Sequence, residues 1–391
     1  MTHTSQRTYL PVNWADGMKI NKDHFRGDQQ ASSWQQAMHT RAFLNEHNYG
    51  LFPSGRSYGG GKHIVLTTDN QQQVTIRLLA CDAITSGGHL VHIRDGEMTQ
   101  EDALMVVVPG LQIPYAQLAS TDGEYYVMLV VNPFNRVPVG QPDVEETQLR
   151  PPYTAPAYSL HLMDIRDKNT GDFHLPLGRI KVSEGKVLAD EEYIPPCTSA
   201  AAHRELTEFH ADIEHFFGSM ESYVLRIQQK IIQKHQQNDL SLIIGEICNA
   251  IGIYLCGEYQ RVLLEYGSQP PVYMVAGTAG LARLMKNRID IHTGPAKDEL
   301  LSYFAEWCGI TQTEWESAIT SLSNFRYDHM NIREAVRTVQ QYTQLTLRLF
   351  NILASLEYIG RKREAGIFVK EHLVVPAEEL PAPRRKSFLA E

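Results

Sequence analysis

Apolar positions in the first half of the chain fall into short runs that are separated by turn residues. The runs are rich in β-branched and aromatic side chains, which is typical of strands. Thirteen of the 19 prolines lie before Cys197, and proline breaks helix interiors, so a series of long helices is excluded there. The pattern predicts a mainly antiparallel β sandwich or barrel-like shell over residues 1–195. The runs are 64–66, 74–79, 105–108 and 125–131, and the turn dipeptides are Gly87-Gly88, Asp95-Gly96, Asp122-Gly123 and Glu184-Gly185.

The shell contains one predicted helix and one Pro-rich stretch. A helix is predicted from about residue 30 to residue 46, because its apolar positions share one helical face. Residues 138–156 are Pro-rich, and strand-like sequence resumes at Tyr158. We therefore expect this stretch to be a surface excursion of the shell rather than a linker between domains. The apolar positions of the helix are Trp34, Met38, Ala42 and Phe43.

After Pro195-Pro196 the apolar positions take a helical period. Two stripes follow alternating steps of three and four residues, which is the heptad pattern of coiled coils and tight bundles. The pattern predicts an α-helical bundle over residues 196–360, and packing of the stripes within one chain or between subunits both remain open. Further helical segments are predicted at 240–264, 274–289 and 296–308. The first stripe is Leu206, Phe209, Ile213, Phe216, Met220, Tyr223 and Ile227, and the second is Val339, Tyr342, Thr346, Leu349, Leu353 and Leu356.

Residues 361–391 form a short C-terminal tail with a different composition. Two basic clusters, at 361–363 and 384–386, flank a strand-like run at 367–369 and three prolines. The tail is too short to build a core of its own. The whole chain is therefore predicted to be an α+β multidomain protein, with an N-terminal antiparallel β shell followed by an α-helical bundle and the tail.

Composition and charge narrow the class of protein. Hydrophobic residues make up 43% of the chain and charged residues 21%, which is the balance of a globular protein. The formal net charge of −9 disfavours nucleic-acid binding, because phosphates would be repelled. The five cysteines form no Cys-x-x-Cys pair, so we expect a reducing compartment and neither a disulfide scaffold nor a zinc ribbon. A polar start and the absence of an apolar run of about 18 residues indicate a cytoplasmic protein.

Candidate catalytic and ligand-binding motifs are incomplete. Gly59-Gly60-Gly61-Lys62 is followed by His63 where a phosphate loop has Ser or Thr, and Gly277-Thr278-Ala279-Gly280 lacks the start of a dinucleotide turn. His203, His210 and His215 do not have the His-Glu-x-x-His spacing of a zinc protease. No Gly-x-Ser-x-Gly or Cys/His nucleophile pattern occurs. The sequence therefore predicts no catalytic residue, no cofactor and no metal.

Three patches of the sequence carry a resemblance to a known family. The first is residues 12–20, V-N-W-A-D-G-M-K-I, followed by His24-Phe25. The second runs from Gly178-Arg179-Ile180 to the Ile194-Pro195-Pro196-Cys197 junction, and the third is Tyr327-Asp328-His329 before the last long helix. In this order they resemble the opening W-x-[DE]-G-M pattern, the I-P-P-C junction and the Y-D-H helix entry of TssK-type baseplate proteins of bacterial type VI secretion systems.

The resemblance implies a non-enzymatic homotrimer. Its β shell would contact baseplate wedge proteins of the TssF/TssG type, and its helical bundle would hold three subunits together in the cytoplasm, on the inner-membrane side of the apparatus. The family's head would follow the last helix, where only residues 361–391 remain, so we expect contact with a membrane complex through an adaptor or through the basic tail. The residues that the resemblance assigns to partner binding are Trp14, Asp16, Gly17, Met18, His24 and Phe25.

Structural roles for these motif residues remain open beside the functional ones. Trp14 and Met18 could fill the β core, and His24-Phe25 could pack against the early helix. Pro195-Pro196 is expected to be a rigid joint, since each proline fixes its own φ. Asp328 is expected to cap the helix that begins near Asn331.

Two other classes of protein are compatible with the sequence. A phage or phage-like receptor-binding protein would share the architecture and recognise a ligand on the cell surface. A hydrolase with scattered carboxylates would need a deep pocket with strongly shifted pKa values. The sequence favours the baseplate connector because the three patches occur together and in order.

Overall fold

The computed structural model describes most of the chain, and its described part has an α+β fold, as the sequence predicts. Strands dominate before residue 190, and helices follow from residue 200. Several sequence features lie outside the described residues: residues 105–107, the Asp95-Gly96 and Glu184-Gly185 turns, and the Gly59–Lys62 motif. The basic clusters of the tail also lie outside them, apart from the backbone of Arg363. The described residues are 9–53, 64–68, 73–94, 108–114, 122–142, 145, 147–167, 170–183 and 186–360, with the backbone at 363–364 and 367–368.

Helix α1 spans Lys22–Arg41, and the bounds predicted for it were wrong at both ends. Asn21 caps the helix, because its side-chain oxygen accepts hydrogen bonds from backbone N–H groups of the first turn. The His24 ring in turn accepts from the Asn21 N–H at 3.2 Å, which completes a capping box. A prediction from the spacing of apolar residues alone misses this polar start of the helix. At the other end Ala42 is the cap, and Phe43 lies outside the helix and is exposed.

The shell contains ten antiparallel strands in three sheets within the described residues. They are β1 Gly50–Leu51, β2 Ile64–Thr68, β3 Gln73–Leu78, β4 Ala80–Ile84, β5 Leu90–Arg94, β6 Leu111–Pro114, β7 Gly123–Val139, β8 Tyr153–Asp164, β9 His174–Ser183 and β10 Lys186–Ala189. The sheet orders are β1-β4-β5, β2-β3-β6 and β10-β9-β7-β8. The predicted runs at 64–66, 74–79 and 125–131 lie in β2, β3 and β7.

The Pro-rich stretch 138–156 lies within the shell and is not a linker between domains, as predicted, but the surface excursion is shorter than predicted because β7 and β8 continue into both of its ends. The two strands stay paired as far as Val139 and Tyr153, and only the residues between these form the connection. Strand β9 pairs with β7 only up to Val130, so β7 has one free side beyond that point and tolerates Pro138. Pro156 is tolerated because β8 is an edge strand.

Six helices form the bundle within the described residues. The predicted helical segments at 240–264, 274–289 and 296–308 lie in the second, third and fourth of them. The fifth was not predicted, although Thr311 and Glu314 form a capping box at its start. The helices are α2 Arg204–Gln233, α3 Asp239–Leu264, α4 Val272–Asp290, α5 Pro295–Cys308, α6 Gln312–Ser323 and α7 Ile332–Ser355, and two short strands, β11 Arg363–Glu364 and β12 Ile367–Phe368, follow.

Helices α2 and α7 run parallel to each other. Arg333 at the start of α7 pairs with Glu205 at the start of α2. Lys230 near the end of α2 donates to the carbonyl of Leu356, just beyond α7, at 2.5 Å. The segment after α3 is hydrogen-bonded to the residues before α2. The end of α3 therefore lies beside the start of α2, and the two helices are antiparallel. The bundle therefore has one end at the shell and a far end, about 36 Å away along the 24 residues of α7.

Both predicted apolar stripes pack inside one chain. The rings of Phe216 and Tyr342 lie 6.1 Å apart between α2 and α7, and the Tyr342 hydroxyl donates to Met285 Sδ at 3.0 Å. Tyr223 is half-buried, and the other stripe residues are buried. Of the two alternatives, the stripes thus form an intrachain bundle and leave no surface for a second copy. The buried residues are Leu206, Phe209, Ile213, Phe216, Met220, Ile227, Val339, Tyr342, Thr346, Leu349, Leu353 and Leu356.

A short stretch of backbone joins the shell to the bundle. The N–H of Leu51 donates to Pro196 O at 2.8 Å, and the Leu51 carbonyl accepts from the Thr198 N–H at 2.9 Å. Leu51 and Cys197 are both buried in an apolar cluster that continues from the sheets into the helices. Asp328 does not cap α7 as expected: its carboxylate accepts from Met330 N–H, and Asn331 occupies the cap position.

Gly50 at this joint should not tolerate a side chain. It has a φ of +116°, and a Cβ there would lie 2.0 Å from Pro196 O. Gly50→Ala should lower the free energy of unfolding by about 3 kcal/mol or more, because backbone strain and a steric clash add. Chemical denaturation measures the loss. Gly17→Ala is the matched control, with a φ of +77° and no atom within 4 Å of its Cβ, and should cost about 1 kcal/mol. Equal losses for both variants would contradict this role of Gly50.

Candidate functional site

The described residues do not assemble any of the incomplete catalytic motifs into a site. They contain no group of three or more side chains that could hold a metal ion. His210 bonds to the carbonyl of Val262 through Nε2 at 2.8 Å and so serves packing between α2 and α3. Gly277 lies inside α4, where an added Cβ would meet the Tyr266 hydroxyl, and not at a helix start. The larger features of the described surface are apolar, and they indicate protein contacts.

Four of the five thiols are buried and protonated. Burial raises the pKa of Cys248 and Cys308 to about 12, and it raises the pKa of Cys81 and Cys197 further. A protonated, enclosed thiol is a poor nucleophile. Cys256 is the exposed cysteine of the chain.

The first candidate surface is an aromatic patch before and at the start of α1. Trp14 is 44% exposed and Phe25 61% exposed, and their ring centroids are 5.9 Å apart. The Trp14 ring also lies 6.1 Å from the ring of His24. Leu10 and Ile20 are exposed as well. We call Trp14 and Phe25 the N-terminal patch.

The other residues predicted for partner binding shape the segment that carries this patch. Asp16 and Gly17 form an exposed turn, in which the Met18 N–H donates to Ala15 O at 3.2 Å. Met18 is half-buried, and Trp14 lies outside the β core. The alternative in which Trp14 fills that core was therefore wrong. His24 and Phe25 belong to α1 itself, so the structure brings Trp14, His24 and Phe25 together at the surface.

The second candidate surface is the outer side of α3. Seven positions at alternating steps of four and three residues are all exposed, and Ile253 at their centre is 68% exposed. We call them the α3 outer stripe. Four are apolar and three are polar, and polar residues in such stripes set register and oligomer state in coiled coils. The stripe is Leu242, Glu246, Asn249, Ile253, Cys256, Gln260 and Leu263.

Helix α3 is apolar on nearly all sides, which explains why sequence reasoning missed the α3 outer stripe. By length and composition it is the helix of the described chain that could cross a membrane, and half of its most apolar stretch is packed inside the bundle. On the outer side Glu246, Asn249 and Gln260 interrupt the apolar positions, so the apolar pattern alone does not indicate the heptad spacing. A signal was present: a helix that is apolar all round is normally covered all round.

His329 ties the bundle to the shell. Its Nε2 donates to Tyr49 O at 2.9 Å, and its Nδ1 accepts from the Tyr327 hydroxyl at 2.9 Å. The ring is buried, and burial lowers the pKa of His329 to about 4, against the opposing effect of the bond to Tyr49. The nearby His47 lowers this pKa further, and Asp328 raises it. The third sequence patch therefore has a structural role at the joint.

Comparisons with known proteins find likenesses of structure alone. No protein-family model and no curated protein matches the chain. The alignment with a TssK crystal structure covers 86% of this chain and 69% of the TssK chain, at 14% identity and a TM-score of 0.47. The alignment with a TssK from the type VI secretion system of EAEC, solved in complex with a nanobody, covers 83% of this chain and 99% of that TssK chain, at 13% identity and a TM-score of 0.45. The alignment with a chain of a type VI secretion system baseplate complex covers 88% of this chain and 100% of that chain, at 11% identity and a TM-score of 0.48.

The neutral state of His329 should make stability depend on pH. The unfolded chain protonates this ring below about pH 6.5, and the folded chain only below about pH 4. The free energy of unfolding should therefore fall by up to about 3 kcal/mol as the pH is lowered from 6.5 to 4, and above 6.5 this ring adds no dependence. His329→Gln, which keeps a donor and an acceptor, should remove this component in denaturation curves. His215→Gln on the exposed side of α2 should keep it, and identical pH profiles for all three proteins would refute the assignment.

Proposed function

We propose that the chain is a structural connector of the TssK type, a homotrimer that joins baseplate wedge proteins to the membrane side of a type VI secretion apparatus. The observation that carries the proposal is the N-terminal patch. Trp14 and Phe25 come from the sequence pattern that resembles the TssK opening, and they are grouped at the surface instead of filling the core. Exposed aromatic side chains held close together are typical of contact surfaces.

The trimer is supported by the α3 outer stripe. Leu242, Ile253 and Leu263 are exposed on a helix whose other side forms the centre of the bundle. Covering these side chains with the same stripe of other copies removes apolar surface from water, at about 25 cal/mol per Å². Heptad spacing suits such self-association, and Asn249 within the stripe suits a defined register. The buried stripes of α2 and α7 take no part in it.

The two ends of the chain suit a connector. The N-terminal patch belongs to the shell, and residues 356–360 leave α7 at the far end of the bundle. There the Asn238 amide donates to Ile359 O at 3.0 Å and the Lys234 ammonium donates to Glu357 O at 2.6 Å, so the exit of the chain is fixed. Wedge proteins of the TssF/TssG type would bind at the shell, and a membrane complex or adaptor would be reached from the far end.

Trimerisation would also strengthen wedge binding. Three copies present three N-terminal patches in a fixed arrangement, so modest single contacts combine into avidity. Such avidity requires a rigid connection between the shell and the bundle. The hydrogen bonds of Leu51 and His329 support that connection. The function proposed here needs no catalytic group, and the work is done in the cytoplasm at the inner-membrane side of the apparatus.

Replacing the two aromatic side chains of the N-terminal patch should weaken wedge binding. Trp14→Ala with Phe25→Ala should raise the Kd for co-purified TssF/TssG-type wedge proteins by about 30-fold or more, since such side chains act as hot spots. Pull-down and surface plasmon resonance measure the change. The variant should keep its native mass and melting temperature, because both rings are exposed. Phe43→Ala, at an exposed aromatic just beyond α1, is the control, and an unchanged Kd for the double variant would refute the proposed contact.

A further inference from the structure

A groove of about 910 Å³ separates the shell from the bundle on one side of the molecule. Strands β2, β9 and β10 line its shell side, and the first turns of α2 and α7 line its bundle side. The floor is apolar, with Leu177, Phe209 and Val336 among its side chains. No part of the proposed wedge or trimer contacts uses this groove.

The shell side of the groove includes an edge strand, β10. Strand β10 pairs with β9 on one side only and is the last strand of its sheet in the described part of the chain. Leu188 on β10 is 62% exposed. An open edge offers unpaired N–H and C=O groups to an added strand, and pockets beside it select the side chains of that strand.

The lining of the groove as a whole is acidic on balance. Its lining holds five carboxylates and three guanidinium groups, for a net charge of −2. Glu208 pairs with the exposed Arg204, and Asp212 meets only the amide of Gln340, at 3.4 Å, with no cation in ion-pair distance among the described residues. An occupant with positive charge followed by apolar side chains would match this groove.

The tail of the chain contains such a segment. Residues 384–389, R-R-K-S-F-L, carry three positive charges and then Phe388 and Leu389. Residues 384–391 contain no proline, so every residue can donate its N–H to a strand partner. The apolar pair suits the floor of the groove, and the basic cluster suits Glu208 and Asp212.

The tail is long enough to reach the groove. The chain leaves α7 at the far end of the bundle, and the groove lies beside the first turns of α7, about 36 Å away. Residues 369–384 alone can span about 50 Å when extended. Because the segment is tethered to its own groove, its effective concentration there is on the order of millimolar.

We propose that residues 384–389 bind in this groove as an added strand on β10 of the same chain. The tail then folds back from the far end of the bundle to the junction with the shell. Docking covers the open edge of β10 and holds the basic cluster away from other partners until something displaces it. This inference does not rest on the proposed function, since it concerns the isolated chain.

Limited proteolysis of the full chain tests the docking. Trypsin cleaves after Arg384, Arg385 and Lys386, and a docked strand resists cleavage in proportion to the time it is bound. Glu208→Lys with Asp212→Lys should accelerate cleavage at these three sites by at least about fivefold, as mass spectrometry measures. Glu221→Lys, on α2 outside the groove, is the matched control and should leave the rate unchanged. Equal rates in all three proteins would overturn the proposal.

A binding experiment tests the strand itself. A fluorescent peptide of residues 380–391 should bind a chain truncated after Phe368, as anisotropy measures, and a peptide of scrambled sequence should bind at least about tenfold more weakly. Two further peptides carry N-methyl groups at residues 386 and 388 or at residues 387 and 389. Strand addition requires that only one of this pair loses binding, because alternate N–H groups face β10. Equal binding of the native and scrambled peptides would overturn the proposal.

The same assays separate docking within one chain from docking between copies. Protection of the tryptic sites should not change across a hundredfold range of protein concentration. Protection that increases with concentration would assign the groove to the tail of a second copy and would overturn docking within one chain. Loss of wedge binding or of the trimer would leave these results unaffected, so this proposal and the proposed function fail independently.

Discussion

Helix α3 imposes the main physical constraint on this protein. Its inner side carries much of the bundle core, where Ile247, Ile251 and Leu255 are buried, so the helix cannot be made polar. Its outer side carries apolar residues at heptad positions, and these side chains are exposed to solvent in the single chain. A helix of this kind is stable in a folded protein when both sides are covered. The proposed function follows from this: the inner side builds one subunit, and the outer side is the surface that we propose meets other copies of it.

The joint between shell and bundle would give the proposed assembly two defined ends. Leu51, Pro196 and His329 connect the two parts through backbone bonds and one buried neutral ring, in a place that the apolar core crosses without a break. Without that joint, copies held together by α3 would carry loosely attached shells. With it, the proposed assembly presents its N-terminal patches in a fixed geometry at one end, and residues 356–360 lie at the other.

The sequence predicted the order of the parts, because prolines, short β-branched runs and helical periods are local signals. It predicted the apolar stripes of α2 and α7 correctly as stripes, but periodicity cannot tell which chain covers them, and the choice between intrachain and intersubunit packing needed coordinates. The start of α1 was missed because Asn21 and His24 are polar. The α3 outer stripe was missed because Asn249 and its polar neighbours interrupt the apolar pattern. The groove depends on the placement of β10 opposite α2, which are far apart in the sequence, and no local signal records that placement.

The state of Cys256 in the native protein tests the central claim most directly. This thiol lies within the α3 outer stripe, and the other four cysteines are buried, so a maleimide applied without denaturant reports on this one position. The account predicts that light scattering gives three times the mass of one chain and that Cys256 reacts only when the assembly is diluted or denatured until it dissociates. A particle with the mass of one chain, or a trimer in which Cys256 reacts at the rate of a free thiol, would contradict it.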